Sequence, residues 1–538
     1  MTPLEQAQFT DPLFLKKPET NRTENPIHHN FGKIIVQGQL SPEKYAGREP
    51  VHLTNFISRG NPLPDWYGDY YLNMLALHIV GKKEKVLTFK LPDGFKKYYV
   101  EVGIINNPDQ IIEVVPQMPQ KGALPNFAYP NGDLLKQLAQ AKRRLDGTVL
   151  VSSLINEYVS SDAEGSGIKA LEQPDSHTTN NKDLFRESGT PIDEQQNEEI
   201  RYNIFPGVII TDNASREEAM EMMLDKFKDA EHGVWLKLAD GSGGDTVKYI
   251  EKLSPEAFEE ARKYLRGEIL KAYKMGELGI LGEDAWPENS LSPLGSSLII
   301  ESDVRNHALL DPGTEPFPGA GGPIFLGSNF FITSADGSHE SVGYYKQRTL
   351  EDGSFNGSQK HHPDEEIQQL IDEQTALVAQ EAIKKGYFGP QGLDYFIITN
   401  PETKGPQVVL IERNGRPPIS AYAEIAGRKL EINDWVNLNI TFEKPIRSIK
   451  DFEKATGKLM FRNGEKKGVF PFAPRTIVGD SKILASPHMK VLILGTPQEQ
   501  QEQIIELEKK GAILGIHGEN FEKNLENVIE EKVIYSIQ

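Results

Sequence analysis

Residues 389–417, GPQGLDYFIITNPETKGPQVVLIERNGRP, constrain this chain more than any other stretch. Two apolar segments, 393–399 and 408–414, flank the turn-rich 400–406, the pattern of an antiparallel β-hairpin with a long loop. Strand side chains alternate between faces, so Asp394, Phe396 and Ile398 share one side of the first strand. By the same alternation Val408, Leu410, Glu412 and Asn414 share a side of the second, and Arg416 continues the spacing as the strand runs out. Two carboxylates and an amide oxygen converging beside an arginine suit a hard divalent cation bound to a phosphate chain. A two-faced strand with a polar end would carry the same letters, and only the rest of the chain discriminates between the two.

Length bounds the setting of this hairpin. At 538 residues the chain has room for about three or four domains. The 59 Lys and Arg residues against 78 Asp and Glu give a net charge of −19. A surface built for nucleic acid or an anionic membrane needs clustered basic groups, so neither is expected as a partner. Cysteine is absent, which excludes disulfides, thiolate nucleophiles, Cys-type zinc sites, iron–sulfur clusters and acyl carriage on a protein thiol. The N-terminus lacks a basic segment followed by an apolar one, and no run reaches the roughly 18 apolar residues of a membrane helix. A soluble, cytoplasmic protein is the expectation.

Taken in order, residues 1–30 are polar, carry prolines at 3, 12, 18 and 26, and read as an extended arm. From Gly32 to about Ile155, short apolar runs alternate with helix-like stretches; residues 65–79, with Trp66, Tyr70, Tyr71, Met74, Leu75 and Leu77, have helical spacing. This is an α/β unit, and without a Gly-x-Gly-x-x-Gly it gives no support for dinucleotide binding. A polar linker at 160–199 contains a short helix at 182–188. A strand at 208–210 leads to a helix opened by the capping box Ser215 and Glu218, with Ala219, Met222, Met223 and Phe227 as its apolar stripe. Strands 234–238 and 247–250 flank the loop Gly241-Ser242-Gly243-Gly244, whose backbone N–H groups could approach a polyphosphate while Lys237 supplies a point charge. A plain hairpin turn would look similar, and the loop is not a Walker A sequence. A helix at 254–275 follows, capped by Ser254. A strand then ends at Glu301 and is followed by Val304, and after it come a Gly/Pro-rich loop at 305–322 and two strands, 325–334 and 340–345. Residues 346–363 read as loop. The helix at 364–385 then delivers the chain into the hairpin. Beyond Arg416, strand 491–494, helix 498–510 and strand 512–515 suggest a small β-α-β lobe.

The order Asn181-Lys182, Lys237 with its glycine loop, Glu301-x-x-Val304, Asp394 and Glu412-x-Asn414-x-Arg416 resembles the ATP-grasp superfamily over roughly residues 175–425. The resemblance implies an α/β and α+β multidomain protein. Its parts would be an extended arm (1–30), an α/β pre-ATP-grasp domain (31–165), an ATP-grasp domain whose two α+β lobes clamp ATP (166–435) and a small α/β C-terminal lobe (436–538). It implies ATP and Mg2+ as cofactors, with Mn2+ as an alternative ion. Lys182 and Lys237 would contact the nucleotide, the loop from Asp240 to Gly244 would cover the β- and γ-phosphates, and the backbone of Glu301 to Val304 would meet the adenine edge. Asp394, Glu412 and Asn414 would hold the metal, and Arg416, with Lys237, would steady the reacting phosphate.

Some residues depart from that pattern. Asp245 stands beside the glycine loop, where an acid would repel triphosphate unless turned away. No glutamate follows the hinge formed by Glu301 to Val304 to hold the ribose, leaving Asp303 or Asp311. Arg413 lies on the opposite strand face from Glu412 and reads as a solvated surface or substrate-side residue. His307 reads either as a basic–His pair after the hinge or as a hydrogen-bonded structural histidine. Lys346 and Arg348 are candidates for a substrate carboxylate or a salt-bridged strand surface, and His361-His362 reads as loop. The function implied is an ATP-dependent carboxylate–amine ligase working through an acyl phosphate, with an amino acid or peptide among its substrates. The region 346–363 looks most like the corresponding stretch of peptide-ligase members. A nucleotide-binding regulatory protein and a small-molecule phosphotransferase on the same fold are the alternatives, and assembly with copies of itself stays open.

Overall fold

Short apolar strands separated by helical stretches can pair in one direction only by crossing over between them. The computed structural model shows this in the first unit. β1 (Glu49–Leu53), β2 (Lys85–Phe89), β3 (Ile111–Val114), β4 (Thr148–Ser152) and β5 (Lys169–Ala170) form a sheet in the order β3-β2-β1-β4-β5, every neighbour parallel. The structure describes residues 49–53, 73–81, 84–115, 148–152, 169–170, 181–194, 201–211, 214–239, 247–275, 290, 297–308, 324–334, 337–349, 355–479, 483–485 and 487–513. The expected arm at 1–30 and Trp66, Tyr70 and Tyr71 lie outside them. α1 (Ala76–Ile79) and α2 (Phe95–Glu101) tie this unit to the C-terminal strands. The Tyr98 and Tyr99 hydroxyls donate to the Phe461 and Pro471 carbonyls at 2.9 and 2.8 Å. His78 stacks on Phe472 and bonds its carbonyl at 2.8 Å; burial pushes its pKa down to about 3, so it sits there neutral.

Next come α3 (Lys182–Ser188), β6 (Thr190–Pro191) and β7 (Asn203–Ile204). β8 (Gly207–Ile210), β9 (Val234–Leu238), β10 (Val247–Ile250) and β11 (Leu298–Ser302) then form an antiparallel sheet in the order β10-β9-β11-β8. α4 (Arg216–Phe227), opened by the Ser215–Glu218 capping box, and α5 (Pro255–Met275) back it. Ala219, Met223 and Phe227 face the core as expected, whereas Met222 is 41% exposed.

The remaining strands are β12 (Ile324–Thr333), β13 (His339–Thr349), β14 (Phe355–His361), β15 (Gly389–Thr399), β16 (Pro406–Asn414), β17 (Trp435–Thr441) and β18 (Gly468–Pro474), then the small hairpin of β19 (Ile477–Val478) and β20 (Ile483–Leu484), and β21 (His488–Leu494). Apart from β19 and β20 they join one large sheet in the order β18-β21-β17-β14-β13-β12-β15-β16-β7-β6. α6 (Glu365–Lys384), capped by Asp364, covers one face with Ile367, Ile371, Val378 and Ala379 against Tyr395, Ile397 and Leu410. α7 (Ile419–Lys429) covers part of the other with Tyr422 and Ile425. α8 (Ile449–Thr456) and α9 (Pro497–Lys509) complete the C-terminal region. The expected α/β and α+β architecture is therefore present: a parallel α/β unit, a four-stranded antiparallel sheet and a large mixed sheet.

Two segments fold otherwise than their letters suggest. Residues 346–363 are largely strand: β13 continues to Thr349 and β14 returns beside it. Polar residues such as Gln347, Ser358 and Lys360 mask the apolar alternation there, because that sheet face carries polar groups. The expected C-terminal β-α-β lobe makes no sheet of its own. β17, β18 and β21 pair antiparallel and extend the large sheet through β14, and after α9 the chain makes an isolated antiparallel bridge, Ile513 to Phe442. Among the described residues no helix is long and apolar enough to cross a membrane.

This extension buries a lysine. Lys490 on β21 is 2% exposed and donates to Asn439 Oδ1 at 2.7 Å. Burial, reinforced by the Arg475 charge, brings its pKa down to about 7. Between pH 7 and its ordinary value the unfolded chain then holds a proton that the folded chain has released, so Lys490 makes stability rise with pH across that window. It costs stability below pH 7, where both states are charged. In thermal or urea unfolding the stability of the native protein relative to Lys490→Met should climb with a slope of at most about 1.4 kcal/mol per pH unit. A flat difference from pH 7 to 9.5 would refute the burial.

Candidate active site

The site begins with an irregularity in the hairpin. β15 and β16 pair from Thr399↔Pro406 to Tyr395↔Leu410, but Asp394 then stands opposite Glu412, leaving Ile411 as an extra residue in the ladder. Strict alternation would place Glu412 and Asn414 with Val408 and Leu410. The bulge overturns that expectation: Val408 and Leu410 face α6, while Glu412 and Asn414 turn to the face of Asp394. Both carboxylates and the amide thus meet because of one inserted residue. Asp394 Oδ1 accepts from Gln347 Nε2 at 2.7 Å, and the Asn414 amide lies 3.5 Å from Asp394 Oδ2 and 3.3 Å from Glu412 Oε1. Lys182 Nζ is 3.3 Å from Glu412 Oε2.

Lys182 reaches this hairpin from the start of α3, a helix that packs on the large sheet through Phe185. Asn181 caps α3 by accepting from Leu184 N at 3.0 Å, and the Lys182 amide donates to the Ala239 carbonyl at the end of β9. On β9 the alternation sends Val234, Leu236 and Leu238 into the core with α4 and α5, and Trp235 and Lys237 to the opposite face. Glu301 pairs across from Trp235 and shares that face. Its carboxylate is held at both oxygens, by Arg186 from α3 on one and Lys237 on the other. Arg186 also donates to the Phe205 carbonyl. Gly207 lets it pass, since a Cβ there would lie 2.1 Å from Arg186 Nη2.

Charge is unevenly distributed over the site. Burial and the adjacent Glu412 push the Asp394 carboxyl well above the usual range. Burial pulls Glu412 the same way, but Lys182 and Lys237 outweigh it and hold Glu412 below its ordinary value. Arg416 is lowered by burial and faces Glu412, Tyr422 and Asp394; an arginine keeps its charge under such a shift. A divalent cation favours both ionised carboxylates at once. The donors present, two carboxylates and an amide whose oxygen and nitrogen exchange by a half-turn, are the hard oxygen set such an ion takes. Among the described residues no three His, Cys, Asp or Glu side chains cluster as a metal site, so the amide is needed to complete this one.

Beside the charged groups lies an apolar patch. Val304 opens a 3-10 turn capped by Asp303 and, with Phe396, packs against the buried cluster of Phe205, Ile398 and Val409. Phe205 and Phe396 meet edge to face at 5.8 Å. The patch spans both layers next to Glu301 and suits a flat heteroaromatic base. The Ser302 and Asp303 amides donate to the Pro206 and Gly233 carbonyls, which fixes the hinge.

The structure thus brings together Lys182, Lys237, Glu301, Val304, Asp394, Glu412, Asn414 and Arg416. Gly241, Ser242, Gly243, Gly244, Asp245 and Asp311 lie outside the described residues. Asp303, weighed for the ribose, is engaged by Arg305 and by Trp235 Nε1 at 2.9 Å. His307 bonds Ser302 Oγ at 2.8 Å, and burial lowers its pKa, the structural reading of that residue. Arg413 is not a surface residue: it is 3% exposed among Tyr202, Tyr387 and Glu381, because α3 and α6 cover the face to which the bulge turns it. Lys346 and Arg348 flank Gln347 on β13 and so point away from Asp394, with Lys346 over the Phe325 ring. His361 ends β14 against the same ring, at 4.6 Å, with burial lowering its pKa to about 4; His362 bonds Asp434 at 2.9 Å. Sequence reasoning missed Gln347, hidden in a strand read as loop. It also missed Arg186, although its position one turn after Lys182 put it on the same helix face.

No family model matches the chain, and no curated protein matches it. Solved structures do. Biotin carboxylase from Campylobacter jejuni, solved as a β,γ-ATP complex, is 11% identical with a TM-score of 0.47, covering 87% of this chain and 91% of that one. The biotin carboxylase domain of Hydrogenobacter thermophilus 2-oxoglutarate carboxylase, solved with MgADP, ADP and bicarbonate, is 12% identical with a TM-score of 0.46, covering 91% and 99%. Carboxyaminoimidazole ribonucleotide synthase from Aspergillus clavatus, complexed with ATP, is 12% identical with a TM-score of 0.43, covering 86% and 98%. Likenesses this distant decide nothing about the chemistry, which rests on the geometry of the site.

Proposed function

We propose that this protein is an ATP-dependent carboxylate–amine ligase of the ATP-grasp type. The observation that carries the reading is the convergence of Lys182 from α3 and Lys237 from β9 on the bulged Asp394–Glu412–Asn414 edge, with Arg416 beside it. Cations and oxygen donors gathered around one bulged edge suit a metal-bound triphosphate, with its base against Val304, Phe205 and Phe396. Asp394, Glu412 and Asn414 would hold Mg2+, or Mn2+, whose charge neutralises β- and γ-phosphate oxygens. Lys182 and Lys237 balance the remaining negative charge, and Arg416 steadies the phosphoryl group in transit. A substrate carboxylate oxygen attacks the γ-phosphorus as the bond to the β-phosphate oxygen breaks, giving an acyl phosphate and ADP. An amine nitrogen then attacks the acyl carbon, phosphate leaves, and the nitrogen loses a proton to form the amide. An amino acid or short peptide is the substrate class we assign.

The test is a panel of amino acids and dipeptides as donors and acceptors, read by ADP and phosphate release and by mass spectrometry of the product. ADP, phosphate and a new amide are expected. AMP and pyrophosphate would overturn the mechanism, a stable phosphorylated product would make the protein a phosphotransferase, and tight ATP binding without release would make it a regulatory binder. Stripping divalent ions with EDTA should reduce turnover to background, and Mg2+ or Mn2+ should restore it. Full activity in EDTA would remove the role given to Asp394, Glu412 and Asn414.

A further inference from the structure

The Glu301 carboxylate is 4% exposed and accepts both Arg186 and Lys237. Lys237 also acts electrostatically on Glu412, which Lys182 already pairs. An anion arriving between the layers therefore competes with Glu301 for the Lys237 ammonium. A carboxylate this buried is strongly disfavoured without a cation, so Lys237 could not leave Glu301 if it were the sole partner. Arg186 removes that obstacle. It comes from α3 rather than β9, is anchored a second time on the Phe205 carbonyl, and threads over Gly207. It remains on Glu301 whichever way Lys237 turns, and its planar fork suits that fixed position.

We infer that Arg186 is a positioning residue that keeps Glu301 neutralised, so that Lys237 is free to move from Glu301 to the phosphate chain of a nucleotide. The inference rests on the ligase reading only for which anion enters the site; the exchange at Lys237 holds for a nucleotide binder of any activity. Without Arg186, Lys237 becomes captive to Glu301 and the nucleotide binds more weakly. Removing the capturing charge as well should release the lysine again, an outcome that a purely structural role for Arg186 does not produce.

The experiment is calorimetric titration of the full-length protein with MgATP, and separately with inorganic triphosphate, so that no turnover is required. Arg186→Met is expected to raise the Kd for both by about tenfold or more, the scale of one charged hydrogen bond. Arg186→Met with Glu301→Gln should return most of that loss, and Arg186→Lys should fall between the native protein and Arg186→Met. An unchanged Kd in Arg186→Met overturns the inference, as does a double variant that binds no better than the single one. If Arg186→Met does not fold, the Arg186→Lys and double variants carry the test, and a folded double variant that binds far more weakly than the native protein refutes it. If the native protein releases no ADP with any substrate yet the Kd pattern holds, the ligase reading fails and the inference stands. No binding of MgATP or triphosphate to the native protein sinks both.

Discussion

Replacing Glu412 by Gln should lower ATP-dependent ADP release by about a hundredfold or more, the scale of losing one preorganised electrostatic contact at a reacting phosphate. The substitution keeps the shape and removes one charge. That charge has two tasks in the site geometry: it pairs with Lys182 at 3.3 Å, and it stands opposite Asp394 as the ionised member of the carboxylate pair. In Glu412→Gln the oxygen set holds one carboxylate fewer, and Asp394 alone, already pushed towards its protonated form by burial, is a poor anchor for a divalent ion. The fold should be little affected, since the Glu412 side chain keeps 26% of its surface open and the backbone pairing of β16 does not depend on it. The melting profile and far-ultraviolet circular dichroism should match the native protein while release is lost. Native-like release from folded Glu412→Gln would strip the hairpin of its metal role.

How much of this was legible in the sequence follows from what each signal physically encodes. Local rules held where the cause is local. Asn181, Ser215 and Asp364 cap helices where their side chains meet the next free amides, and the strands at 234–238 and 247–250 fall where apolar alternation puts them. The members of the site were legible as letters, but the reason they meet was not. Alternation alone aims Arg413 at Asp394 once the hairpin is paired, and only the bulge at Ile411 turns Glu412 and Asn414 there instead. A bulge has no letter of its own. β14 was invisible for a different reason: its Gln, Lys and Ser residues face polar neighbours, so the apolar period that announces a strand is missing. The path of the C-terminal strands into the large sheet is a long-range pairing, which no local pattern reports.

That long-range pairing rests on a narrow seam, and Gly357→Ala should open it. β14 and β17 are joined through three residue pairs, Gly357↔Leu438, Ser358↔Asn437 and Gln359↔Val436. Through them β17, β21 and β18 join the hydrogen-bonded sheet of the strands that carry the hairpin, while Tyr345 and Trp435 add a ring contact beside the seam and Lys429 of α7 ties the first unit separately. Gly357 has a φ of +154°, a conformation that side chains other than glycine rarely adopt, and a Cβ there would lie 1.9 Å from the Asn437 carbonyl oxygen and 3.2 Å from Leu438 Cα. Both neighbours are backbone and cannot swing aside as a side chain would. Strain at this φ and displacement of the paired strand act together, so a loss of about 4 kcal/mol or more is expected in urea unfolding, at the upper end for a single substitution. Gly405→Ala supplies the control. It sits in the exposed hairpin loop with Thr403 Oγ1 as its nearest contact at 3.8 Å, and a surface change of that kind should stay within about 0.5 kcal/mol. Equal midpoints for the two variants would mean that β14 and β17 do not pair in this register, and the C-terminal strands would then have to reach the hairpin sheet by another edge.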